Sequence, residues 1–168
     1  MAAQRSGLPH TTRNAGSLKS LDKLLEMYEE SVGRGAVLLL NNTPDTSGLI
    51  PDADVKRSLQ FGAEVKRRYG AAIADVSGRG REITVSPSAP SLIDAVVTME
   101  DIAQGERIRE YVIEAQVDGS WVEVARGSAI GHKKIDKFEP VRVSAVRLKT
   151  MRSVGEPLIK RLALHRTS

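Results

Sequence analysis

From Ser17 to Val32, the apolar positions Leu18, Leu21, Leu25, Tyr28 and Val32 recur at steps of three and four, with Lys19, Lys23, Glu26 and Glu30 opposite them. This spacing predicts an amphipathic helix, with Ser17 as N-cap and Gly33 at its left-handed C-terminal end. Ala36–Leu40 is apolar throughout and is bounded by Gly35 and Asn41. Such a run predicts a short strand buried on both faces, as in parallel sheets covered by helices. Asn41–Gly48 is dense in turn residues and reads as a loop. Pro51–Tyr69 predicts a second helix. Pro51 suits the first turn, Asp52 and Asp54 suit the positive end of the helix dipole, and Val55, Leu59, Gly62, Val65 and Tyr69 share one face. Helix, buried strand, loop, helix is a piece of α/β architecture. A single apolar strand without lateral neighbours does not make a complete domain.

The pattern changes after Gly70. Residues 71–80 are small and polar and read as a linker. From Glu82 onward the period is two, predicting strands at Glu82–Val85, Leu92–Met99, Ile108–Val117, Trp121–Ala125, Lys133–Phe138, Val141–Lys149 and Leu158–His165. Asp118-Gly119 is a strong hairpin signal, and Arg126-Gly127 and Glu139-Pro140 mark further breaks. Strands at this regular spacing argue for a β-sandwich.

Composition narrows the chemistry. The chain has 168 residues, enough for one ordinary domain, or for one small domain plus a fragment. Its formal net charge is +4 and its aromatic content only 4%. Basic residues alternate with acids, as in Asp22-Lys23 and Glu64-Val65-Lys66, so no nucleic-acid partner is expected. Cysteine is absent, which excludes disulfides and thiol chemistry. No apolar run approaches the roughly 20 residues of a membrane span. Met1–Gly16 lacks the apolar core of a signal peptide and reads as a disordered leader, leaving localisation open.

No motif forms an active site by itself. Asp45, Asp52 and Asp54 fall in turn and helix-start positions. Glu100, Asp101 and Glu106 match no calcium loop, and the three histidines are not spaced as ligands on one helix. No metal and no cofactor is expected. Asn41 would lie at the C-terminal end of the buried strand, the end at which barrel enzymes build their sites; it is the candidate for substrate proximity, against a role in anchoring the loop. Trp121, the sole tryptophan, together with His132 and Lys133 in the segment Ile130–Lys134, could contact a sugar. Packing is the alternative for Trp121, and a solvated turn for the other two.

Ser17–Tyr28, Ser31–Asn41, Pro44-Asp45 and Gly48–Pro51 resemble the end of the catalytic barrel in family 29 glycoside hydrolases, the α-L-fucosidases. Met99–Tyr111, Asp118–Trp121 and Ala125–Lys133 are similar to the C-terminal sandwich of bacterial members. The resemblance implies the end of a (β/α)8 barrel at residues 17–70, then a jelly-roll sandwich of galactose-binding-like, discoidin type at residues 81–168. It also implies retaining hydrolysis of α-L-fucosides, by an Asp nucleophile and a second carboxylate on earlier barrel strands. Neither role maps onto a residue of this sequence, so no catalytic residue is expected here. Fucosylated glycans would then be partners through the full-length enzyme, with the remaining barrel joined in cis. Alone, the chain would support the barrel without turnover; the alternative is a stand-alone carbohydrate-binding sandwich.

Overall fold

The computed structural model describes residues 18–168. Helix α1 spans Leu21–Ser31, and the Ser20 hydroxyl accepts the Lys23 backbone N–H at 3.2 Å. Ser20 thus caps the described helix, while the expected cap, Ser17, lies outside the described residues. The left-handed glycine after the helix is Gly35 (φ 81°), two positions beyond the expected Gly33. A 3-10 turn, Val32–Arg34, fills the interval. Gly33 packs closely against the sandwich, because a Cβ there would sit 3.1 Å from Ile135 Cδ1.

Ala36–Leu40 departs from expectation. Residues 36–39 have no regular structure, and Leu40 makes only an isolated bridge. Val37 is 84% exposed and Leu39 61%. The run has the composition of a buried strand, but among the described residues nothing covers Val37 or Leu39, and Leu38 and Leu40 are only half-buried. Helix α2 then spans Asp52–Tyr69, with Asp52 and Asp54 in its first turn and Lys66, Arg67 and Arg68 in its last, both matched to the dipole.

Eight strands follow: β1 Ala74–Arg79, β2 Glu82–Val85, β3 Ser91–Glu100, β4 Ile108–Val117, β5 Ser120–Gly127, β6 Lys134–Val143, β7 Ala145–Ser153 and β8 Leu158–His165. They form two four-stranded sheets, ordered β1-β8-β3-β6 and β2-β7-β4-β5, with every neighbouring pair antiparallel. This is the strand order of a jelly roll. The β4–β5 hairpin turns through Asp118 (φ 49°) and Gly119 (φ 81°), the left-handed pair that a two-residue hairpin requires.

Two expectations are corrected. Strand β1 lies inside the stretch read as a linker and pairs with β8. Strand β6 continues through Glu139-Pro140, and the chain breaks at Ser144 instead. As an edge strand β6 tolerates the proline, and its pairing with β3 jumps register there, from Ile93↔Val141 to Ala95↔Lys137.

The core lies between the sheets and includes Ile93 and Val96 from β3, Tyr111 and Ile113 from β4, Leu148 from β7 and Leu162 from β8. A second cluster sits on the outer face of the β1-β8-β3-β6 sheet. There Ala95, Val97, Ile135 and Ala163 pack beneath Tyr69 of α2 and Tyr28 of α1. Strand β3 is therefore covered on both faces, which explains the unbroken burial of Ile93–Val97.

Candidate functional site

Glu29 on α1 fastens the helices to the sandwich. Its carboxylate accepts the Tyr69 hydroxyl at 2.6 Å, the Lys137 ammonium at 2.8 Å and Arg68 at 3.3 Å, joining α1 to both α2 and β6. Burial opposes its charge, but the hydrogen bonds from Lys137 and Tyr69 outweigh burial and hold it below the usual carboxylate range. Burial and the same carboxylate together push the Tyr69 phenol upward. Beside this network, neither ring nitrogen of the buried His165 has a hydrogen-bond partner among the described residues, and the ring meets Tyr69 edge-on at 5.9 Å. Burial, then the Arg161 charge, lower its proton affinity.

Lys133 belongs to this docking surface. Its ammonium donates to the Tyr28 hydroxyl at 2.9 Å and lies 5.3 Å from the ring centroid. His132, the next residue back, is exposed. Trp121 stands on the other sheet, half-buried, with the Arg147 guanidinium 4.2 Å above its ring. Arg147 is held in turn by Glu114 and Glu82. Asn41 is exposed and follows the uncovered apolar run. Among the described residues, no contact gathers Asn41, Trp121, His132 and Lys133 into one site.

Several buried carboxylates escaped sequence reasoning because their partners are distant in the chain. Glu100 accepts the backbone N–H groups of Arg107, Ile108 and Gly131, binding two loops to the end of β3. Asp94 accepts those of Thr167 and Ser168. Asp136 accepts the Tyr111 hydroxyl across the sandwich, and burial raises its pKa. These carboxylates are spent on structure, each bonded within the fold. Among the described residues no group of three His, Asp or Glu side chains could hold a metal, and no helix is long and apolar enough to cross a membrane.

The molecule is thus a jelly-roll sandwich with two helices docked on one outer face and its buried acids committed to the fold. No protein-family model matches it. It is similar to an α-L-fucosidase of Arabidopsis thaliana, 27% identical over 89% of this chain and 37% of that protein. The crystal structure of a protein from Bacteroides thetaiotaomicron, provisionally named an α-L-fucosidase, superposes with a TM-score of 0.91 at 38% identity, over 93% of this chain and 36% of that one. A glycoside hydrolase 29 family member from a rumen bacterium gives a TM-score of 0.85 at 26% identity, over 95% of this chain and 31% of that one. The chain is homologous to the α-L-fucosidases of glycoside hydrolase family 29. It spans about a third of the length of these relatives.

Proposed function

We propose that this chain is the C-terminal portion of an α-L-fucosidase, and that its work is to complete and support a catalytic barrel. In this reading residues 17–70 are the end of the (β/α)8 barrel, with Ala36–Leu40 as a barrel strand, and residues 81–168 are the discoidin-type accessory sandwich. Strand β1 is added to the sandwich. Asn41, just beyond the barrel strand, would lie nearest the substrate. The observation that carries the reading is the unsatisfied surface of the first half. Val37, Leu39, Leu49 and Leu59 are each more than 60% exposed, whereas the sandwich core is closed. Exposed apolar side chains gathered in one segment mark an interaction surface, here one for the rest of a barrel. Retaining hydrolysis of fucosylated glycans then requires carboxylates supplied by that region. Correct positioning of all reacting groups accounts for much of an enzyme's acceleration, so this portion alone should give no turnover.

The test is release of the aryl group from an aryl α-L-fucoside. The purified chain should give none, and the chain fused to the barrel region of its Bacteroides relative should give turnover. Cleavage by the chain alone would overturn the proposal. A stand-alone sugar-binding module is the second reading, favoured by the part of the Trp121 ring left accessible. It predicts heat on titration with fucose or galactose, which Trp121→Ala should abolish.

A further inference from the structure

Strand β4 carries an irregularity at its start. Its pairing with β7 shifts twice, between Ile108 and Glu110 and between Glu110 and Tyr111. Bulges of this kind bend a strand and redirect its side chains, and they recur beside functional sites. Here the shift sets Glu110 opposite Arg152 of β7. Strand β5 runs alongside β4 and brings Arg126, and Ser128 just past its end, to the same place. The result is an open groove of about 270 Å³, lined by Arg109, Glu110, Val112, Arg126, Ser128 and Arg152.

The charges of this groove are unequally matched. Arg126 makes a two-pronged pair with Glu123 and is neutralised. Arg109 donates to the backbone carbonyls of Ile108 and Glu106, each at 3.0 Å. Those neutral acceptors fix its guanidinium without cancelling its charge. Arg152 is exposed, and among the described residues no carboxylate is paired with either Arg109 or Arg152. Glu110 supplies one acceptor for hydroxyl groups. Three guanidiniums stand here against the carboxylates of Glu110 and Glu123, so the groove keeps a net positive charge, and Arg109 and Arg152 suit an oxyanion because their N–H forks match its geometry. Val112 offers a small apolar floor, and the groove is open enough for one ring.

We infer that the Arg109–Arg152 groove binds an anionic sugar, with the carboxylate of a uronate or a sulfate ester on the guanidiniums and a ring hydroxyl on Glu110. The anion site stands on the geometry alone; that its bearer is a sugar rests on the fucosidase reading. The site is remote from the helix-docking face and belongs to the accessory sandwich.

The experiment titrates the intact chain with glucuronate, a sulfated L-fucose, neutral L-fucose and inorganic sulfate, following arginine side-chain N–H resonances. Either anionic sugar, or both, should shift the Arg109 and Arg152 signals and bind at least tenfold more tightly than neutral fucose or inorganic sulfate. Whichever of the two binds names the anion. Arg152→Ala and Arg109→Gln should each weaken binding about tenfold, as expected for one charge-assisted hydrogen bond, with unchanged circular dichroism for the exposed Arg152 variant. Silence toward both anionic sugars would overturn the inference. So would an equal response to inorganic sulfate, which would reduce the groove to plain charge attraction, or binding that survives Arg152→Ala. A failed fucoside-cleavage assay on the barrel fusion would sink the fucosidase reading while leaving this titration to be judged separately.

Discussion

The Tyr111 hydroxyl of β4 donates to the Asp136 carboxylate of β6 at 2.8 Å, bridging the two sheets through the closed core. Both residues are buried, and burial raises the pKa of Asp136. A carboxyl group whose folded pKa is raised binds more protons folded than unfolded. Its contribution is therefore greatest below the ordinary value of 3.8 and is lost as pH rises through the raised value. Urea unfolding should show Asp136→Asn losing less stability than the wild type between pH 4 and pH 7. Tyr111→Phe, which strips the carboxylate of its donor, should cost about 1–3 kcal/mol.

Gly127 makes room for that same tyrosine. A Cβ at Gly127 would meet the Tyr111 hydroxyl oxygen at 2.5 Å. Gly127→Ala should therefore lower stability by about 1–3 kcal/mol through overpacking alone. Two ring carbons of Tyr111 would lie at 2.6 Å from that Cβ as well, so Gly127→Ala should cost less stability in a Tyr111→Leu background, which lacks the ring, than in the wild type. Full additivity would show that the two residues do not compete for space.

His165 predicts the opposite pH dependence. Its folded pKa lies below the ordinary 6.5, so the unfolded chain binds the extra proton. Stability from this site is present above pH 6.5 and is lost as pH falls below it. The denaturation midpoint of the wild type should fall between pH 7 and pH 5 by more than that of His165→Leu. Equal slopes would place the pH dependence elsewhere.

Strand β1 belongs to the sandwich. Ala74 and Val76 pack against its core, and β1 pairs with β8 from Ala74↔Leu164 to Arg79↔Leu158. A chain of residues 71–168 should melt roughly 5 °C or more above one of residues 81–168. Equal melting temperatures would make β1 an ornament.

Much of this architecture is legible in the residue pattern, and the exceptions share a cause. The alternation of Tyr111, Ile113, Ala115 and Val117 identifies β4, because one face of that strand is buried and the other is not. Strand β1 is hidden because an edge strand needs few apolar residues, and its Gly78 looks like punctuation although Ile83 Cδ1 lies 3.0 Å from where its Cβ would be. Pro140 looks like a break because only the sheet order reveals that β6 is an edge. Ala36–Leu40 reads as a buried strand, yet burial depends on a partner surface, which a residue pattern cannot supply. Of the candidate site residues, Lys133 was visible as a cation, but its partner Tyr28 lies 105 positions away. Arg109 and Arg152 line one groove beside a register shift that sets Glu110 opposite Arg152, a relationship that local spacing does not encode.

Whether residues 36–50 await a barrel is decided by their amide hydrogen exchange, measured for the chain alone and for the chain fused to the barrel region of its Bacteroides relative. Val37–Leu40 should exchange fast in the isolated chain and be strongly protected in the fusion, with protection appearing together with fucoside cleavage. Protection of the same amides in the isolated chain would contradict the proposal, because these residues would then already have the partners that it assigns to the barrel.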